Sequence, residues 1–495
     1  MGYDALHERF RRIGDLNHAL AMLSWDEAVM MPTGSGGVRG EALATLTGMV
    51  HELTAASETG ELVDAAAQAE LNPWQAVNVA KIRRDWEAAR AVPADLVRAL
   101  SRAASTCEQT WRVARGENDW GAVVDKLRRV LDLTREKAQA LADAFDCDPY
   151  DALLDSYEPR LTRRDIDPVF SELEAVLPGM VDDALARQPA ARAPLGPFPL
   201  DRQEALGRAL MAEVGFDFER GRLDVSHHPF CGGDPDDTRI TTRYNENDFL
   251  ESMFAVLHET GHAMYEQGLP KDWRGQPVGS AGGMALHESQ SLLMEMQVCR
   301  GLPFIEFAAP IVQRTLLGAP TDAPEWQPDN LVKLAAKVER GYIRVDADEL
   351  TYPLHVILRY RLETALLDGG LGVDEIPDAW HESMSASLSL STAGNFTDGC
   401  MQDVHWFAGL LGYFPSYTLG AVMAAQIFRS ARNQIRGLDD AIREGSFHVL
   451  FDWLRQHVHG RGSLLPSLDL VADVTGSRLG TDAFLDHLRT RYALV

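Results

Sequence analysis

The stretch Met253-Phe254-Ala255-Val256-Leu257-His258-Glu259-Thr260-Gly261-His262-Ala263-Met264-Tyr265 joins a helical apolar pattern to a chemical one. Met253, Phe254, Val256 and Leu257 before the H-E-x-x-H pentapeptide, with Met264 and Tyr265 after it, predict a helix with an apolar face. Residues four apart on a helix stack on one face, so His258 and His262 can present imidazole nitrogens to one Zn2+. Glu259 lies one step round from the first histidine, close enough to reach a water on the ion without ligating it. Zinc lowers the pKa of such a water from about 15.7 to about 7, and a carboxylate beside it can take the proton as attack begins. The pattern is that of a peptide-bond hydrolase.

The third ligand is expected at Glu288, in His287-Glu288-Ser289-Gln290, which opens the apolar helical run Ser291-Leu292-Leu293-Met294-Glu295-Met296. The Gly-rich link Gly279-Ser280-Ala281-Gly282-Gly283 lets the two helices meet at short range. Two histidines and one glutamate leave a fourth position for water, the open arrangement of a catalytic zinc site.

Working outward, strand-like alternation is rare, and Ala, Leu, Arg and Glu at helical spacing dominate from Leu6 to about Leu185. The class is mostly α. One large domain over 1–495 is expected, with an N-terminal helical layer (1–195) and a metal-bearing catalytic part (196–495). The Ala- and Pro-rich segment Gln188 to Pro199 is the candidate hinge between them, not a boundary between independent domains. A net charge of −26 argues against nucleic-acid binding and against an anionic membrane surface. Five scattered cysteines, never spaced C-x-x-C, indicate neither a disulfide framework nor a cysteine zinc site. The polar start Met1 to Arg12 shows no signal peptide, and no apolar run nears the ~18 residues a bilayer needs. A cytoplasmic protein is expected.

Three further segments carry polar groups at regular spacing. In Asp237-Thr238-Arg239-Ile240-Thr241-Thr242-Arg243-Tyr244 a period of two puts Asp237, Arg239, Thr241 and Arg243 on one side of a strand. The preceding run from Arg222 to His228 is expected to pair with it as a hairpin through Gly232-Gly233-Asp234-Pro235, offering an edge for an extended peptide. In Ile343 to His355, helical spacing puts Arg344, Asp348, Thr351 and His355 on one stripe, with Pro353 kinking the helix and aiming Tyr352 or Arg344 into a cavity. An Arg fork there suits a carboxylate, and an Arg344–Asp348 ion pair is the plainer alternative. In Gly399 to Trp406, Gln402 and His405 share a helical face, and His405 or a tyrosine such as Tyr417 can donate to an oxyanion.

Taken together, these segments resemble the carboxypeptidase Taq family of zinc- or cobalt-dependent metallocarboxypeptidases, nearly end to end. The resemblance rests on Leu23-Ser24-Trp25-Asp26 with Met31-Pro32, on Tyr150-Asp151-Ala152-Leu153-Leu154-Asp155, and on His228-Pro229-Phe230. It continues through Asp237-x-Arg239-x-Thr241, His258-Glu259-x-x-His262 and His287-Glu288-Ser289-Gln290. Ile343-Arg344-x-x-Ala347-Asp348, Gly399-x-x-Gln402-Asp403-x-His405-Trp406 and Trp453 to Gly462 complete it. It implies a saddle-shaped, mostly helical subunit with a deep active-site groove and a minor sheet near the metal. It also implies a homodimer acting broadly on the C-terminal residues of peptides and poorly before a C-terminal proline. By position it makes His258, His262 and Glu288 the metal ligands, Glu259 the general base and later acid, and Arg239, Arg344, Gln402 and His405 substrate-site residues; Tyr352 and Tyr417 join them as candidates. Oligopeptide endopeptidases of the thimet and angiotensin-converting type use a similar H-E-x-x-H and are the nearest rival reading. An inactive peptide-binding relative would have lost Glu259 or a ligand, and all four are present.

Overall fold

The computed structural model describes residues 2–493. It is mostly helical, with one three-stranded sheet among the described residues. The chain forms two compact units, each assembled from separated segments. The first comprises the chain up to Ala89, Pro189–Ala336 and Met423–Arg478; the second comprises Arg90–Gln188, Lys337–Val422 and the chain from Leu479 on. The expected hinge, Gln188 to Pro199, carries the second crossing between units and holds neither helix nor strand. Among the described residues no helix is long and apolar enough to cross a membrane, and the five cysteines form no disulfide.

In the first unit, β1 (Gly221–Val225), β2 (Phe230–Asp234) and β3 (Asp237–Thr242) lie in the order β1-β3-β2. The expected hairpin partner is corrected here. β1 runs parallel to β3, with Leu223 opposite Ile240, and the hairpin is β2–β3, with Asp234 opposite Asp237. Gly232 and Gly233 belong to β2 rather than to the turn. Gly233 has φ 105°, and a Cβ there would lie 2.1 Å from the Asp237 carbonyl oxygen, so glycine is what lets β2 close on β3.

The histidine-bearing helix is Phe249–Gly268. The Asp248 carboxylate caps it, accepting from the amides of Leu250 and Glu251 at 2.8 and 3.3 Å. Phe249, Met253, Phe254, Val256, Leu257, Ala263, Met264 and Tyr265 are its buried apolar face. Glu288 sits inside the helix Met284–Leu292, which continues as a π-helix over Leu293–Cys299. The two helices meet at Gly261, where a Cβ would lie 2.6 Å from the Gln290 carbonyl oxygen and 2.6 Å from Ser291 Cα. Gly261→Ala therefore sets two terms against each other. Alanine gains about 1 kcal/mol of helix propensity over glycine, while overpacking costs about 1–3 kcal/mol and more against backbone that has no rotamer to change. We expect the net effect, measured by denaturant unfolding, to be a loss of stability together with weaker metal binding.

In the second unit, two expectations about local structure change. Residues 344–351 are not helical beyond one 3-10 turn, Arg344–Asp346, and the helix begins at Tyr352 and ends at Leu367. Pro353 is thus in the first turn, where its missing N–H removes no helical bond, and it starts the helix instead of kinking it. Asp348 does not pair with Arg344. Its carboxylate accepts from the amides of Leu350, Thr351 and Glu339 and from the Thr351 hydroxyl. Gly399 to Trp406 is a series of turns, so Gln402 and His405 are placed by loop geometry and not by a shared helical face.

Candidate metal centre and arginine cluster

One turn of helix separates His258 from His262, and their rings stand 5.1 Å apart at 81°. Glu288 faces the Nε2 atom of each, with Oε1 3.9 Å from His258 and Oε2 3.5 Å from His262. One donor atom from each of the three lies within 4.8 Å of the others. Two imidazole nitrogens and one carboxylate are a donor set that suits zinc and other first-row divalent ions.

The surroundings of the two imidazoles differ. His258 Nδ1 is 2.8 Å from Glu295 Oε2, whereas His262 Nδ1 is buried with no partner among the described residues. His262 instead stacks on His287 at 4.5 Å, and His287 Nε2 is 2.8 Å from Glu266 Oε1. Electrostatics follow this difference. Burial depresses His258, but hydrogen bonding to Glu295 and the charges of Glu288 and Glu259 push it up to about 10. Burial, with His287 nearby, takes His262 down to about 4. Glu259 is pushed up to about 7 by burial, against the pull of His258. Its carboxylate makes no hydrogen bond or ion pair with any described residue. Burial opposes ionisation of Glu288 as well, yet the His262 hydrogen bond and the neighbouring imidazoles hold it below the usual carboxylate range.

Arg239 belongs to the same unit and stands on β3. Asp237 takes its Nε and Nη2 at 2.9 and 2.8 Å, and its guanidinium lies 4.4 Å from the ring centre of Trp25. Arg222 lies 5.0 Å from that same ring. Trp25, from the first helix (Gly2–Val29), is thus a platform for two arginines.

The other candidates gather in the second unit around Asp403. Arg344 Nη2 is 2.9 Å from Asp403 Oδ1, and Arg359 Nε donates to Oδ2 at 2.7 Å. Arg359 is fully buried and is also held by the His355 carbonyl at 2.6 Å and the Trp380 ring at 4.5 Å. Burial opposes the charge on Asp403, but the two guanidiniums keep its carboxyl well below the usual range. Gln402 accepts from the Arg344 amide at 2.9 Å and donates to the carbonyls of Tyr342 and Asp398, so its amide fixes the backbone that carries Arg344. The Tyr417 ring lies 4.6 Å from the Arg344 guanidinium and 6.2 Å from Tyr352. His405 Nε2 is 3.1 Å from the Tyr417 hydroxyl, and its Nδ1 is buried without a partner among the described residues. Burial takes His405 down to about 4, so the ring is neutral near pH 7.

The sequence motifs miss four contributors. Glu295 and Arg300 stand behind His258, Glu266 holds the motif residue His287 against His262, and Arg359 shares the Asp403 carboxylate. The faint signal for the first was a second carboxylate seven residues after Glu288 on the same helical run. Arg359 gave none, being one arginine in an otherwise unremarkable helix.

The family model "Carboxypeptidase Taq (M32) metallopeptidase" matches residues 5–492. The chain is 37% identical to thermostable carboxypeptidase 1 of Thermus thermophilus, over 99% of this chain and 98% of that protein. It is similar to the structure of Trypanosoma cruzi metallocarboxypeptidase 1, with a TM-score of 0.96, 37% identity and 99% of each chain covered. The M32 carboxypeptidase structure from Deinococcus radiodurans gives a TM-score of 0.94 at 34% identity, covering 100% of this chain and 99% of that one. The chain belongs to the carboxypeptidase Taq (M32) family and is a metallocarboxypeptidase, a peptide-bond hydrolase that works with a divalent metal.

Proposed function

We propose that the enzyme removes C-terminal residues from peptides with broad side-chain tolerance and slow action on a C-terminal proline, working with Zn2+ or, in its place, Co2+. His258 and His262 would hold the ion through Nε2 and Glu288 through its carboxylate. When bound, the ion supplies Lewis-acid polarisation and an acidified water. Glu259 takes the proton of the attacking water and returns it to the leaving amine. The neutral His405 and the Tyr417 hydroxyl are donors of the kind that stabilise a developing oxyanion.

Arg344 receives the substrate's terminal carboxylate. Arg344 and Arg359 share one carboxylate, Asp403, which leaves cationic character for an incoming anion, whereas Arg239 is matched one-to-one by Asp237. We assign the enzyme to the cytoplasm as a homodimer. The observation that carries the reading is the convergence of His258, His262 and Glu288 beside an uncommitted Glu259.

The test compares a blocked dipeptide with a free carboxylate and the same peptide amidated. Loss of charge-assisted hydrogen bonds worth about 1.5–3 kcal/mol predicts cleavage about 10- to 100-fold slower for the amide. Equal rates would remove the exopeptidase reading and favour an endopeptidase. Arg344→Lys should narrow the difference between the two substrates, and Arg239→Lys should not.

A further inference from the structure

We propose that Glu295, itself held by Arg300, is the positioning residue that sets how tightly this chain binds its metal, by fixing the ring and tautomer of His258. The proposal rests on His258 being a ligand. Glu288 and Glu295 stand seven residues apart on one continuous helical run, and together they bracket the His258 ring. Glu288 lies on the Nε2 side at 3.9 Å and Glu295 on the Nδ1 side at 2.8 Å. An imidazole that donates from Nδ1 has its lone pair on Nε2, the nitrogen facing Glu288.

Glu295 cannot turn away from this task. Its other oxygen, Oε1, accepts from Arg300 Nε and Nη2 at 3.1 and 2.8 Å. Arg300 is fixed in turn, donating from Nη1 to the Ala335 carbonyl at 2.8 Å and lying 4.3 Å from the Phe254 ring centre. Phe254 is on the histidine-bearing helix, one turn before His258, so the chain of contacts closes on the helix it orients. His262 has no hydrogen-bond partner on its Nδ1 among the described residues and is held by stacking on His287 instead, so His258 is the imidazole whose tautomer a carboxylate sets.

Glutamine at 295 can satisfy either the His258 N–H or the Arg300 fork with its single oxygen, but not both. The test measures zinc dissociation constants of Glu295→Gln, Arg300→Met and the double variant by competition with a chromophoric chelator. Partners of this kind typically contribute about 10- to 100-fold to metal affinity, and each single variant should lose that much. Because the two act in series, the double variant should be weaker than the weaker single by less than about threefold. Metal-free melting is measured beside the affinity, because Glu295→Gln leaves one of its two partners unsatisfied, and the affinity loss is read on protein still folded without metal at the assay temperature. Should Arg300→Met not fold, the isosteric Glu295→Gln decides alone. Affinity within about threefold of the parent in Glu295→Gln overturns the proposal. His258→Ala separates the two readings, since metal bound as tightly by that variant would remove the ligand assignment itself.

Discussion

Glu259→Gln is expected to bind its metal as tightly as the parent and to lose at least about 10³ in kcat, with KM little changed, on the scale of removing a positioned general base. The amide matches the carboxylate in shape but cannot accept the proton of water. Glu259 is on the histidine-bearing helix, buried, and engaged in no hydrogen bond or ion pair with any described residue, so the substitution breaks no structural contact. That separates it from a change at His258, His262 or Glu288, which would lower metal content and activity together. Metal analysis and steady-state kinetics on the same preparation make the distinction. A Glu259→Gln enzyme within tenfold of the parent would mean that another group takes the proton.

Asp403→Leu is expected to destabilise the second unit by about 3–5 kcal/mol, the usual cost of stranding buried charge by removing one partner. Both Arg344 and Arg359 would be left without their carboxylate, and Arg359 is fully buried. The same deletion at an exposed ion pair would move stability by under about 1 kcal/mol, which makes the magnitude diagnostic. The pH dependence has a defined sign. The Asp403 carboxyl is held below its unfolded value of about 3.9, so its contribution is fully present above that pH and is lost as the pH falls below it. The difference between variant and parent should thus stay level from about pH 5 to 8 and shrink on further acidification. A gap under about 1 kcal/mol at neutral pH would contradict the account.

The legible parts of the molecule were those set by local periodicity. The four-residue spacing of His258 and His262 lies within one helix, and the apolar residues around it announce that helix, so the placing of both imidazoles on one face beside Glu259 is readable from a single pentapeptide. Glu288 needed one long-range step, supplied by a second helical run and a glycine-rich link. What escaped depended on contacts between distant segments or on unusual backbone. Gly232 and Gly233 suggest a turn on composition, yet both lie in β2, and at Gly233 β3 approaches too closely for a side chain. Pro353 suggests a kink until Asp348 is seen to cap the backbone just ahead of it, which makes the proline an initiator. Arg344, Gln402 and His405 looked like helical stripes, but the cluster is organised by Asp403 and by Arg359, a residue in no motif. The π-helical segment that carries Glu295 has no composition that separates it from an ordinary helix.

The proposed binding of one divalent ion by His258, His262 and Glu288 underlies every other assignment at this site. It is tested most directly by crystals of zinc-supplemented protein measured on both sides of the zinc absorption edge. The account predicts one anomalous peak at this site in each chain, with Nε2 of both histidines and a Glu288 oxygen about 2.0–2.2 Å from it. No peak at these residues, or a peak that Glu288 does not approach, would contradict it.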